Sequence, residues 1–191
     1  MTHVTVVGTG TMGQAIAGLV TQGGNALEMI TEADAAKPVT GDIVVLAVPY
    51  AALADIVATR GDQLAGKIVV DITNPVNFET FDSLVVPADS SAAAELATAL
   101  PTSKVLKAFN TTVAATLAAG TVGDLVTTVQ IAGDDADAKA LLAGVVTAAG
   151  LKAIDAGSLK RARELEAFGY LQITLAAAEK LSWVGGFGVA A

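Results

Sequence analysis

Six residues near the start of the chain, Gly8-Thr9-Gly10-Thr11-Met12-Gly13, narrow the available folds more than any other segment. They follow Val4-Thr5-Val6-Val7, a β-branched run that reads as a buried strand. They run into Met12, Ala15, Ile16, Leu19 and Val20, which are apolar at helical spacing. In such a strand–turn–helix each glycine has a separate task. Gly8 permits the tight turn, Gly10 lets the backbone approach a pyrophosphate, and Gly13 lets the helix lie close on the strand. The helix N-terminus then turns its free N–H groups toward the phosphates. In a chain with 19 glycines the bare spacing arises easily by chance, but its place between a first strand and a first helix makes it specific for a dinucleotide.

Further strand-like runs occur at Ala26–Ile30, Ile43–Val48, Ile68–Ile72, Val105–Phe109, Val129–Ala132 and Ala153–Asp155, with Ala-rich stretches of helical spacing between most of them. This alternation predicts an α/β fold of the Rossmann type, a doubly wound parallel sheet with helices on both faces and a C-terminal helical extension. Residues 1–157 read as one dinucleotide-binding domain, and residues 158–191 as a helix and tail packed on it. Between Gly24 and Gly41 there is room only for the Ala26–Ile30 strand and a stub of helix. Thr73–Ser91, with Pro75, Phe78, Phe81 and Pro87, shows no periodicity and leaves a strand end on the side where such sheets bind ligands. It is read as a lid or rim, with a plain surface segment as the alternative. The last helix is expected over Leu159–Leu181 with Ser158 as its N-cap. Its half Ala167–Ala178 has few polar residues on any face, which predicts burial from more than one side, in a dimer interface or a deep pocket wall; a homodimer through residues 159–181 is expected.

The 191 residues suffice for one substantial core, 53% hydrophobic but only 4% aromatic. A net charge of −8 argues against nucleic acid as a partner. No apolar run reaches the ~18 residues of a membrane span. The opening residues lead straight into a strand and leave no room for a signal peptide, so the expectation is a cytoplasmic protein without a membrane partner. Cysteine is absent, and His3, the sole histidine, lies at the start of the first strand, away from the ligand-binding edge. No GxSxG elbow, Ser-His-Asp triad or histidine metal site can be built. Asp134, Asp135 and Asp137 follow a strand and open a helix, where carboxylates cap free N–H groups; this reading is preferred to a metal site. The expected protein set of catalytic acids, bases and metals is therefore empty. That leaves hydride transfer, in which the cofactor carries the chemistry and the protein supplies position.

Several segments in order carry a resemblance: VVGTGTMGQAIA at 6–17, LAVPY at 46–50, DITNP at 71–75, KAFNT at 107–111, AGDD at 132–135 and DAGSLKRARELE at 155–166. Together they resemble the NADPH-dependent reductases of the deazaflavin coenzyme F-420 and related dinucleotide-binding oxidoreductases. The cytosolic domain of the six-transmembrane ferric reductases is similar. The resemblance implies an enzyme that binds NADP(H) and exchanges hydride with a deazaflavin or flavin, a small-molecule cosubstrate, without a protein acid or base. By position it implies that Thr9, Gly10, Thr11 and Met12 wrap the pyrophosphate, with Gly8 and Gly13 of the fingerprint assigned to the same cofactor site. Val48 and Pro49 would touch the adenosine-side ribose or the pyrophosphate, and Asn74, Pro75, Asn110 and Thr111 would lie near the nicotinamide half.

The chain departs from the resemblance after the second strand, where Thr31-Glu32-Ala33-Asp34 replaces the Ser, Arg or Lys that often holds a 2′-phosphate. Glu32 lies about 20 positions past the glycines, where an acidic residue binds the ribose 2′-hydroxyl of NAD(H). Thr31 and Lys37 could still serve NADP(H). Arg163, in the basic cluster Lys160, Arg161 and Arg163, has two readings: a contact to an anionic substrate tail, or a solvated helix face with Lys160–Glu164 and Arg163–Glu166 pairs. Trp183 either stacks on a flat ring system or packs under the final helix. The competing functions are a small imine- or hydroxyacid-type reductase, whose relatives need a large helical domain after the Rossmann unit, and a non-catalytic dinucleotide sensor.

Overall fold

The computed structural model describes residues 1–34 and 37–190. Seven strands form one sheet in the order β2-β1-β3-β4-β5-β8-β9. They are β1 (His3–Val7), β2 (Ala26–Ile30), β3 (Ile43–Leu46), β4 (Ile68–Asp71), β5 (Lys104–Lys107), β8 (Thr128–Gly133) and β9 (Lys152–Gly157); β6 (Thr121–Val122) and β7 (Leu125–Val126) make a separate hairpin. The helices are α1 (Thr11–Gln22), α2 (Leu53–Leu64), α3 (Ala92–Ala99), α4 (Ala114–Ala119), α5 (Ala136–Ala148) and α6 (Ala162–Ala177). The central strands β3, Ile-Val-Val-Leu, and β4, Ile-Val-Val-Asp, are buried at every position. Such continuous apolar runs belong to a sheet covered on both faces. Successive residues serve opposite cores: Ile43 and Val45 join Ile16, Leu19 and Val20 of α1, while Val44 and Leu46 join Leu53 and Leu64 of α2 and Leu96 of α3.

The expected α/β architecture is present, with one difference. From β2 to β5 all pairs are parallel, but β8 meets β5 antiparallel, through Leu106–Gly133 and Lys107–Ala132, and β9 runs parallel to β8. Instead of a crossover helix, α4 and the β6–β7 hairpin bring the chain back in the opposite direction. Gly133 allows the close pairing, since a side chain there would run into Leu106. As expected, the β2–β3 connection is short, a turn of 3-10 helix at Glu32–Asp34. Arg60 of α2, only 7% exposed, fastens it by donating to the carbonyls of Lys37 (2.7 Å) and Asp34 (2.6 Å). Asp135 is the N-cap of α5, its carboxylate accepting from the Ala138 N–H at 2.8 Å. No helix of the described residues is long and apolar enough to cross a membrane.

The C-terminal helix is shorter than expected. A 3-10 turn at Leu159–Arg161 leads into α6, which stops at Ala177. The Ser158 hydroxyl makes no cap; Asp134 accepts the Leu159 N–H instead, at 3.0 Å. Nor is the inner side of α6 wholly apolar, because Glu166 and Gln172 are buried. Glu166 reaches Lys107 at the end of β5. The Lys107 ammonium donates to Asp71 (2.9 Å) and to the Thr73 carbonyl, and it is ion-paired with Glu166 at 2.8 Å. The same Glu166 carboxylate accepts the Ala92 N–H (2.9 Å) and the Ala93 N–H (3.3 Å), the first amides of α3. The positive end of that helix offsets the second carboxylate. Burial pushes the Glu166 carboxyl above its ordinary range, and Lys107 opposes the shift.

This cluster fastens α6 to the sheet. Lys107→Met would leave two carboxylates facing each other without a cation, and removing one partner of a buried ion pair typically costs about 3–5 kcal/mol. Urea unfolding of this variant is expected to show a loss of that size, well above the ~1 kcal/mol of a surface lysine.

Candidate dinucleotide-binding site

The ends of β1, β3, β4 and β5 lie along one edge of the sheet, and each is followed by residues assigned to the site. At β1 the geometry of the glycine turn is explicit. Gly8 has φ +108°, and its N–H donates to the Ile30 carbonyl at 2.9 Å, tying the turn to β2. A side chain at Gly8 would strike the Ala47 carbonyl, and one at Gly13 would strike the Gly8 carbonyl. Both glycines are therefore demanded by the protein itself. Gly10 is not: among the described residues nothing lies within 4 Å of where its Cβ would stand. It caps α1 without any side-chain hydrogen bond, and the first turn of α1 carries no acidic residue. Thr9, Gly10 and Thr11 are exposed, Met12 is half-buried and Gly13 is buried. The free amides of a helix N-terminus beside an open glycine fit a pyrophosphate.

After β2, Glu32 points into solvent. Thr31 is committed within the turn, its N–H and hydroxyl both donating to the Asp34 carboxylate at 2.8 and 2.7 Å. These bonds, the backbone one foremost, hold the Asp34 carboxyl below its usual range. Lys37 folds back to the Met29 carbonyl at 2.7 Å. After β3, Val48 is half-buried and Pro49 exposed. Tyr50 then donates to Glu95 at 2.6 Å, a bond that, with burial, pushes the phenol up to about 12. This pair borders a separate apolar cleft of about 370 Å³ between α2 and α3.

After β4 and β5 the structure brings Asn74 and Asn110 together. The Asn74 amide nitrogen donates to the Asn110 carbonyl (2.9 Å). The Asn110 amide nitrogen donates to the Asn74 side-chain oxygen (2.9 Å) and to the Leu165 carbonyl of α6 (2.8 Å). Because two of the acceptors are main-chain carbonyls, both amide orientations are fixed. Pro75 and Thr111 are buried beside them, while Asn74 is half-exposed. Thr73, just before this pair, has its N–H bound by Asp71 (2.8 Å) and its carbonyl by Lys107. The buried cluster thus lies directly beneath the two asparagines.

Other sequence-assigned residues lie apart from this constellation. Arg163 is exposed in the first turn of α6. The expected Lys160–Glu164 and Arg163–Glu166 pairs are not formed among the described residues: Arg161 pairs with Glu164 at 3.6 Å, and Glu166 faces inward. Trp183 is 59% exposed and does not pack under α6. His3 starts β1, at the opposite edge of the sheet. The described residues hold no cluster of three or more metal-ligating side chains. Asp71, Lys107, Glu166, Arg60 and Gly169 were missed by the sequence reading. The available signal was a pair of strands ending in Asp71 and Lys107, charged residues at positions that the neighbouring apolar residues mark as interior.

A parallel sheet with an open glycine turn between its first strand and helix defines a Rossmann-type dinucleotide-binding fold. The family described as "NADP oxidoreductase coenzyme F420-dependent" matches residues 24–75. The F420-dependent NADP reductase of Methanocaldococcus jannaschii is 34% identical over 150 residues, 74% of this chain and 64% of that protein. Metalloreductase STEAP3 of Rattus norvegicus is 42% identical over 106 residues, 56% of this chain and 20% of that protein. The chain therefore spans less than two thirds of the length of either relative. The crystal structure of a proposed F420-dependent NADP reductase from Arthrobacter sp. FB24 aligns over the whole of both chains, with a TM-score of 0.85 and 27% identity. The resemblance drawn from the sequence is borne out on all three counts.

The three glycines are expected to separate in mutagenesis. Gly10, with φ −66° and open space above it, should accept alanine with an unchanged melting temperature. The added methyl group should weaken NADPH binding by about tenfold or more in titration calorimetry. Gly13→Ala should instead lose stability, by roughly 2 kcal/mol, because the clash is with backbone.

Proposed function

We propose that the chain is an NAD(P)-dependent oxidoreductase that moves hydride between nicotinamide and a deazaflavin or flavin acceptor, working as a cytoplasmic homodimer. One observation carries this reading: the open glycine turn stands at the same edge as a buried charge cluster whose members are bonded within the protein. Asp71, Lys107 and Glu166 are buried and bonded to one another, so none is free to exchange a proton with substrate. The likeness to the F420-dependent NADP oxidoreductase family and to the Methanocaldococcus and Arthrobacter proteins supports NADP(H) and coenzyme F420. When bound, the nicotinamide supplies or receives the hydride. The chain's part is to position it. Thr9, Gly10, Thr11 and Met12 hold the pyrophosphate, Val48 and Pro49 the adenosine side, and Asn74, Pro75, Asn110 and Thr111 the nicotinamide half. Solvent-facing Leu171, Trp183 and Phe187 on α6 and the tail support a dimer through this region.

Turnover of NADPH and NADH against a deazaflavin, FMN and FAD tests the reading. Oxidation with at least one acceptor is expected, and none above background with any acceptor would contradict it. At the 2′ position Glu32 is exposed, and a solvated carboxylate is strongly screened, so Glu32→Ser is expected to change the NADPH-to-NADH affinity ratio by no more than about twofold. A tenfold gain for NADPH alone would show that Glu32 turns toward the ribose.

A further inference from the structure

The C-terminal helix touches the proposed nicotinamide site at one residue where nothing larger than hydrogen fits. A Cβ on Gly169 of α6 would run into the Asn74 side-chain oxygen and come within 2.9 Å of the Asn110 carbonyl. One turn earlier, the Leu165 carbonyl accepts the Asn110 amide at 2.8 Å. The next residue, Glu166, is bonded to the Lys107 ammonium that holds the Thr73 carbonyl, immediately before Asn74. Three successive features of one helix therefore bear on the same pair of asparagines, two directly and one through the buried cluster. Neither asparagine is free to turn: each amide is committed to a partner, and the Asn110 side-chain oxygen is buried with no partner among the described residues.

We infer that α6 is a wall of the nicotinamide subsite, with Gly169 and Glu166 as positioning residues that set the Asn74–Asn110 ledge against which the nicotinamide half rests. This rests on the assignment of the two asparagines to the nicotinamide half. In a helix interior, alanine is favoured over glycine, so Gly169 stands against local propensity. The reason is the close approach of α6 to the asparagines. Glu166 acts at a distance from any ligand: it ties α6 to β4, β5 and the start of α3, and so fixes the height of Gly169 over the ledge.

The adenosine and nicotinamide halves of the cofactor separate this role from a general effect on folding. For Gly169→Ala, displacing Asn74 is expected to weaken NADPH binding by about tenfold or more, while 2′,5′-ADP, which lacks the nicotinamide half, binds within about twofold of wild type. Equal affinity of variant and wild type for NADPH overturns the inference, as does a parallel loss for both ligands. A second measurement needs no variant. In hydrogen exchange on the wild-type protein, NADPH should protect the amides of residues 165–172 and 2′,5′-ADP should not; equal or absent protection contradicts the role given to α6. If the wild type binds neither ligand, the dinucleotide reading itself falls, and this inference with it.

Discussion

An ammonium group with no access to water sets the terms for this fold. Lys107 is fully buried, and burying an ion costs several kcal/mol unless its hydrogen bonds are all met. Its three partners come from different places: Asp71 at the end of β4, Thr73 just beyond it and Glu166 in α6. Meeting that demand brings the C-terminal helix down on the sheet, and the Glu166 carboxylate also satisfies the first amides of α3. Two strands, a loop and two helices are thereby brought into register at the edge where the glycine turn stands.

The same arrangement holds the three buried charges near the ends of β4 and β5 within the protein. The charged residues near the ends of β4 and β5 serve structure, and the groups above them, Asn74 and Asn110, are neutral and locked in orientation. The glycine turn has the complementary character. Gly8 and Gly13 are fixed by contacts inside the protein, whereas Gly10 leaves a space that the protein does not use. A rigid turn with one open position, at the same sheet edge as a locked amide pair, suits a cofactor that carries its own reactivity.

The sequence reading was strongest where one local signal settles the matter. The strands appear as β-branched runs, the turn as three spaced glycines, and the Asp135 cap as an acid before a helix. The direction of β8 was not legible, because a strand's apolar pattern reads the same both ways and the return through α4 and a hairpin leaves little periodicity. The charged triad was hidden for a similar reason. In Lys160-Arg161-Ala162-Arg163-Glu164-Leu165-Glu166, nothing local distinguishes the one inward-facing carboxylate from its solvated neighbours. Its role is defined only by Lys107, which lies 59 residues away in sequence but 2.8 Å away in space.

The central claim is that a nicotinamide dinucleotide lies from the glycine turn to the asparagine ledge. Chemical-shift mapping of the nitrogen-15-labelled protein with NADPH tests this most directly. The account predicts that the largest shifts fall on the backbone amides of Thr9 to Gly13 and on the side-chain amides of Asn74 and Asn110. Shifts confined to the Tyr50–Glu95 cleft between α2 and α3, with the glycine turn unmoved, would contradict it.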